Sequence, residues 1–264
     1  MQDLTVTIIQ SELVWEDIDA NLDNFERKIN GIEGHQDLIV LPEMFNTGFS
    51  MNPQKFAETT NGKTMAWLKK QAALKNCVIL GSLPLKENDK YLNRLVWMQP
   101  DGKYQTYDKR HLFRMASEHD VYSEGRNKII IELKGWKILP LICYDLRFPV
   151  WSKNRYSKNV YEYDLLIYIA NWPEIRNRPW KTLLKARAME NLSYVVGVNR
   201  VGKDGNMINH TGDSAIIDFQ GNPLRECPPS VENIITYTLN YESLQRFRAG
   251  FAAGLDWDDF TINV

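Results

Sequence analysis

The chain has 264 residues, 44% of them hydrophobic and 25% charged, with a formal net charge of −1 at pH 7. That is enough apolar material for a sizeable core, and the charge balance excludes any basic excess that would draw nucleic acid or an anionic membrane surface. Cys77, Cys143 and Cys227 are far apart and form no CxxC pair, so neither a disulfide framework nor a zinc site is suggested. No apolar run is long enough to span a bilayer, and Leu4-Thr5-Val6-Thr7-Ile8-Ile9 begins without a signal-peptide plan, so a cytoplasmic setting is expected.

Taken in chain order, Leu4 to Gln10 reads as a first strand, and Ile18, Leu22, Phe25 and Ile29 recur at helical spacing up to Gly31. Asp37 to Glu43 is a short apolar strand ending on a carboxylate, followed by a loop at Phe45 to Gly48. A second helix is expected over Gly62 to Leu74, and Cys77 to Gly81 is a strand in which the thiol is plain core. Tyr91 to Gln99, Pro100-Asp101-Gly102 and Lys103 to Tyr107 predict a hairpin, whose outgoing strand delivers Asp108-Lys109-Arg110-His111. A polar loop with Glu118 and Glu124 leads to a second hairpin, Lys128 to Leu133 and Trp136 to Ile142, turning at Lys134-Gly135 and ending on Cys143. Asp164 to Trp172 echoes the Asp37 strand and hints at an internal two-fold relation. Pro179 precedes a helix over Trp180 to Asn191; strands follow at Tyr194 to Val198, Ser214 to Phe219 and Ile234 to Leu239, then an aromatic, acidic tail from Tyr241 to Val264. Strands and helices alternate with hairpins inserted and no linker composition, which predicts one α/β domain with mixed sheets over 1–264.

Three strand ends carry Glu43, Lys109 and Cys143, residues that only tertiary folding could unite. A thiol of ordinary pKa, about 8.5, is a few per cent thiolate at neutral pH. A carboxylate beside it can take its proton and later activate water, and a lysine can stabilise an oxyanion. Each also has a plain reading alone: Cys143 as a buried strand end, the two charges as solvated loop residues. Other chemistries lack their signatures. There is no GxSxG elbow, and Gly62-Lys63-Thr64 lacks the first phosphate-loop glycine, Ala57 standing in its place. A Cys–His pair through His111 or His210 has no local context that selects it; His111 is expected instead to orient the Lys109 loop.

Leu41-Pro42-Glu43-Met44-Phe45, Tyr107-Asp108-Lys109-Arg110-His111-Leu112-Phe113 and Ile142-Cys143-Tyr144-Asp145-Leu146-Arg147-Phe148-Pro149 resemble the three signature segments of the nitrilase superfamily of carbon–nitrogen hydrolases. Asn171-Trp172-Pro173-Glu174-Ile175-Arg176, Lys185 to Asn191 and Gly197 to Gly202 bring the likeness nearest to its bacterial omega-amidase (YafV-like) group. The resemblance implies a four-layer αββα sandwich of two mixed sheets, with Glu43 as general base, Lys109 as oxyanion stabiliser and proton donor, and Cys143 as nucleophile. It also implies a second glutamate seven residues ahead of a glycine; Glu118 and Gly125 fit and Glu124 does not. The tail segment Phe251-Ala252-Ala253-Gly254-Leu255 departs from the family pattern, lacking a Phe-Pro.

The reaction expected from this set is acyl transfer through a thioester, with Lys109 and the backbone N–H of Tyr144 on the oxyanion and no metal or organic cofactor. The group's substrates are omega-amides of small 2-oxo acids, 2-oxoglutaramate and 2-oxosuccinamate. Such a substrate ends in a carboxylate, so a cation must lie opposite the thiol. Arg176 is the candidate, since its planar fork suits a carboxylate, with Trp172 of the same segment as a second substrate-binding candidate; Arg147 is expected to brace the turn. The alternatives are another small-amide, carbamoyl or nitrile hydrolase of the superfamily, and a non-catalytic small-molecule binder on the same scaffold. The superfamily also implies a homodimer, whose seam the aromatic tail, about 241–264, is apolar enough to help bury.

Overall fold

The central strands are buried on both faces, and in one sheet alternate side chains join different cores. In the computed structural model, which describes residues 2–263, the chain runs β1 (Leu4–Gln10), α1 (Ile18–Asn30), β2 (Leu38–Val40), α2 (Pro53–Phe56), α3 (Lys63–Lys75), β3 (Val78–Glu87), β4 (Lys90–Met98), β5 (Tyr104–Asp108) and α4 (Glu118–Val121). Next come β6 (Ile131–Leu133), β7 (Trp136–Ile142), α5 (Pro149–Ser152), the short pair β8 (Tyr156–Ser157) and β9 (Val160–Tyr161), β10 (Leu165–Ala170), α6 (Asn177–Asn191) and β11 (Tyr194–Asn199). A second short pair, β12 (Val201–Lys203) and β13 (Asn209–Thr211), precedes β14 (Ala215–Ile217), β15 (Pro223–Glu226), β16 (Asn233–Leu239) and α7 (Tyr241–Gly250). Met1 and Val264, the ends of the expected 1–264 span, lie outside the described residues.

Two six-stranded mixed sheets form, in the orders β16-β1-β2-β3-β4-β5 and β15-β14-β11-β10-β7-β6. On β2, Leu38 and Val40 join the core between the sheets, while Ile39 packs outward with Leu22, Phe25 and Ile29 of α1 and Met65 and Leu68 of α3. On the far side α6 lies close against β11. A Cβ at Gly197 would meet Leu184 Cδ1 at 2.5 Å, so a larger residue there would force the buried Leu184 to shift. The result is the four-layer αββα sandwich that the resemblance implied.

The echo between the two Asp-led strands has a structural basis. Asp37 and Asp164 each open a parallel central strand, β2 and β10, and each accepts a backbone N–H from the neighbouring strand: Thr5 at 2.8 Å and Lys137 at 3.1 Å. Each is also paired to a distant cation, Lys134 and Arg248 respectively. The two sheets are thus anchored by the same device, and the far ends of β2 and β10 arrive side by side.

Several boundaries differ from the sequence expectation. β3 continues past Gly81 to Glu87, because the carbonyl of Pro84 faces Glu58 rather than β4, and the ring nitrogen shares that side, so no ladder bond to β4 is lost. Asn88 and Asp89, at φ 47° and 62°, then make a two-residue turn into β4. α6 starts at Asn177, with Pro179 in the first turn where an N–H would have no intrahelical acceptor. The tail holds a helix, α7, capped by Asn240, whose side chain accepts from Ser243 N at 2.7 Å. Phe247 of that helix packs on Phe219 with centroids 4.7 Å apart.

Candidate active site

Four strand ends converge between the sheets. Glu43 follows β2, Lys109 follows β5, Cys143 follows β7 and Asn171 follows β10. Asn171 ties two of these ends together: its backbone N–H donates to Glu43 Oε2 at 2.8 Å and its side-chain amide to the Glu43 carbonyl at 2.5 Å. The Lys109 amide donates to the Asn93 carbonyl at 3.0 Å, and the Lys109 carbonyl accepts from Gly125 at 2.9 Å. A Cβ at Gly125 would fall 2.1 Å from the Asp108 carbonyl, so a glycine is needed for the returning loop to close. Cys143 sits at φ 45°, a left-handed conformation that is costly for a non-glycine residue, and opens a 3₁₀ turn through Arg147.

Lys109 is fully buried between two carboxylates. Its Nζ donates to Glu43 Oε1 at 2.8 Å and to Glu118 Oε1 and Oε2 at 3.0 and 2.9 Å. Glu118, on α4, also accepts from Phe113 N at 2.5 Å. Asn93 of β4 donates to Glu43 Oε1 at 2.8 Å and to Glu118 Oε1 at 3.2 Å. Glu124 lies elsewhere, half-exposed and paired with Arg110 at 3.0 Å. The loop therefore sends Glu118 and not Glu124 inward.

Burial opposes the charge on Lys109, yet Glu118 and then Glu43 outweigh it and hold the ammonium well above its ordinary pKa. Glu118 is pushed up, first by burial and further by Glu43, against the pull of Lys109. The Cys143 thiol is raised well above the usual thiol range by burial and then by the charge of Glu43, with Lys109 only partly offsetting them. Burial and Glu43 thus favour the protonated thiol. Cys77 and Cys227 are raised to about 11 and about 12, mainly by burial, and are core residues.

A third buried carboxylate, Asp145, locks the turn that carries Cys143 to the loop that carries Lys109. Its Oδ2 accepts from Ile142 N at 3.1 Å and from the Tyr107 hydroxyl at 2.7 Å. Its Oδ1 accepts from His111 N at 3.0 Å and lies 2.8 Å from His111 Nδ1. His111 stacks flat on Phe148 at 3.8 Å and so does orient the Lys109 loop. His210 is lowered to about 4 by burial and by Arg200, and stays neutral at physiological pH on the cavity wall.

Above Cys143 opens a cavity of about 690 Å³ whose wall includes Cys143, Tyr144, Phe113, Trp172, Arg147 and Arg176. Glu43, Lys109 and Glu118 lie behind the sulfur at 0% exposure. The two guanidiniums rest on aromatic rings rather than on carboxylates: Arg147 over Trp172 at 5.2 Å and Arg176 over Phe113 at 5.0 Å. Arg147 thus reaches the cavity, beyond the bracing role expected of it. Trp172 donates its indole N–H to the Arg176 carbonyl at 2.6 Å and steadies that segment. Sequence reasoning missed Asn93 and Asp145. Their only signals were a polar residue amid the apolar β4 and an acid two residues past the thiol.

The chain matches the carbon-nitrogen hydrolase family over residues 5–249. It is 43% identical to omega-amidase YafV of Escherichia coli (strain K12) over 262 residues, 99% of this chain and 100% of that protein. It is 32% identical to 2-oxoglutaramate amidase of Bacillus subtilis (strain 168) over 225 residues, 84% of this chain and 85% of that one. Among solved structures it resembles XC1258 from Xanthomonas campestris, a CN-hydrolase superfamily protein described with an arsenic adduct in the active site. That match has a TM-score of 0.97 and 44% identity and covers 100% of both chains.

Proposed function

The chain belongs to the carbon–nitrogen hydrolase family, and from that premise we propose that it is an omega-amidase that releases ammonia from 2-oxoglutaramate and 2-oxosuccinamate through a thioester on Cys143. One observation carries the reading: the Cys143 thiol, backed by the Glu43–Lys109–Glu118 cluster, faces a cavity whose wall presents two guanidiniums that, among the described residues, have no carboxylate partner.

Glu43 takes the Sγ proton as the sulfur attacks the amide carbon. The oxyanion forms within reach of Lys109 Nζ and the Tyr144 N–H, a stabilisation for which one donor is typically worth about 10²–10³ in rate. The proton held by Glu43 passes to the departing nitrogen, the C–N bond breaks and ammonia leaves. Water then attacks the thioester, giving its proton to Glu43, and the thiolate recovers a proton as the acid is released. Arg176, with Arg147 beside it, receives the substrate carboxylate, and Trp172 holds the segment in place.

Ammonia release from 2-oxoglutaramate, measured against a neutral aliphatic amide and a nitrile, tests this. A large preference for the acidic amide is expected; equal rates on acidic and neutral amides would assign the chain to another branch of the family. We take 1–264 as one hydrolase domain, a reading supported by β16, which closes the first sheet against β1. A homodimer in the cytoplasm completes the proposal. Its support is three unbridged cysteines and a tail that leaves Phe251 and Leu255 exposed while Phe247 and Trp257 pack inward. Light scattering that gave a mass of one 30.7 kDa chain would refute the dimer.

A further inference from the structure

Asn93 has no part in the chemistry above, yet it touches both carboxylates of the cluster. Fully buried on β4, it donates from one nitrogen, Nδ2, to Glu43 Oε1 and Glu118 Oε1, two of the three carboxylate oxygens that Lys109 Nζ contacts. Lys109 and Asn93 therefore close a ring with the two acids. The orientation of the amide is forced, because the carboxylates only accept and the opposite rotamer would aim a carbonyl at both. Asn93 Oδ1 has no hydrogen-bond partner among the described residues. A buried acceptor left unmatched costs free energy, and an apolar residue would fill the space without that cost.

Two carboxylates share one ammonium at 0% exposure, which leaves one negative charge in excess when both are ionised. In such pairs one acid tends to keep a proton, and donors to the charged form oppose that tendency. We propose that Asn93 is a positioning residue that keeps the Glu43 and Glu118 carboxylates charged and fixed around Lys109, so that the base is ready before substrate arrives. The other groups facing the ring are Cys143 after β7 and the Tyr122 hydroxyl, which donates to the Ser50 carbonyl. Neither can replace the two donations of the amide. The proposal rests on Glu43 acting as the general base.

The tests are Asn93→Ala and the isosteric Asn93→Asp, each checked by gel filtration and thermal unfolding. For Asn93→Ala, kcat on 2-oxoglutaramate should fall about 10²-fold with KM within about threefold, and the acid limb of kcat/KM should move up by about one pH unit. Asn93→Asp can donate only when protonated, so its activity relative to wild type should be greatest at the acid end and fall as pH rises. An infrared titration needs no substrate. The carboxylic acid band should appear at higher pH in Asn93→Ala than in wild type. A kcat within threefold of wild type, or a loss of activity with acid limb and infrared band both unmoved, would overturn the proposal. Activity surviving in Cys143→Ala would overturn the mechanism instead, so the two failures are distinguishable.

Discussion

The floor and the wall of the cavity are built to different standards. On the floor, Glu43, Lys109, Glu118 and Asn93 are all at 0% exposure, and both carboxylates take donors from more than one residue. On the wall, Arg176 is held by a face-on contact with Phe113 and a 3.5 Å approach to Met115 sulfur, next to Ile175, which is 85% exposed. A buried charge with several partners cannot shift without leaving another charge unmatched, which costs several kcal/mol. A cation stacked on a ring at a solvent-facing rim can move at little cost. The chemistry is therefore fixed, while the choice of acid is adjustable.

Substitutions can break or sharpen that contrast. The largest effect is expected at the floor. Cys143→Ala should abolish turnover, by about 10⁴-fold or more, with unchanged folding, and wild-type protein trapped in turnover should carry an acyl mass on the peptide containing Cys143. Glu118→Gln keeps shape and removes charge, so kcat should drop about 10²–10³-fold, whereas Glu124→Gln should change it less than about twofold. A reversal of those two results would show that the loop had been read wrongly. At the wall the effect should be smaller and of another kind. Arg176→Ala should raise KM for 2-oxoglutaramate about 10–100-fold, the worth of a charge-assisted hydrogen bond, and leave a neutral amide within about threefold. A fall in kcat on both substrates would erase the distinction between floor and wall. Least of all, Cys77→Ala and Cys227→Ala should keep full activity at a stability cost of about 1 kcal/mol each, read from denaturant unfolding.

The same contrast governs what could be read from the sequence. Glu43, Lys109 and Cys143 each follow a strand and each has a plain reading alone; they were legible because the three segments that carry them together resemble the family's signatures. Glu118 required the glycine at 125, since a loop with two glutamates gives no periodicity to choose by. Asn93 was not legible: a neutral amide inside a strand carries no charge signal, and its importance comes from two carboxylates 50 and 25 residues away. Arg147 escaped for a related reason, because its neighbour in sequence is the nucleophile's turn while its contact in space is Trp172. Among the elements, the third strand was expected only over Cys77 to Gly81, whereas β3 runs through Pro84 to Glu87. Only the side on which the Pro84 carbonyl faces, set by the Glu58 contact, shows that the strand continues.

The resting state of the sulfur bears on how long such a protein survives in oxidising surroundings. Peroxide attacks the thiolate, and exposed, acidic cysteines climb to sulfenic and sulfinic acids first. Cys143 is 8% exposed and its proton is held more tightly than in a free thiol, so the form that peroxide needs is scarce between turnovers. Because the shift is upward, inactivation by peroxide should be slow at pH 7 and still accelerating above about pH 10, where an ordinary thiol of pKa about 8.5 has levelled off. The arrangement that delays ionisation until an amide is in place also lets a nucleophilic cysteine persist without a disulfide or a metal to protect it.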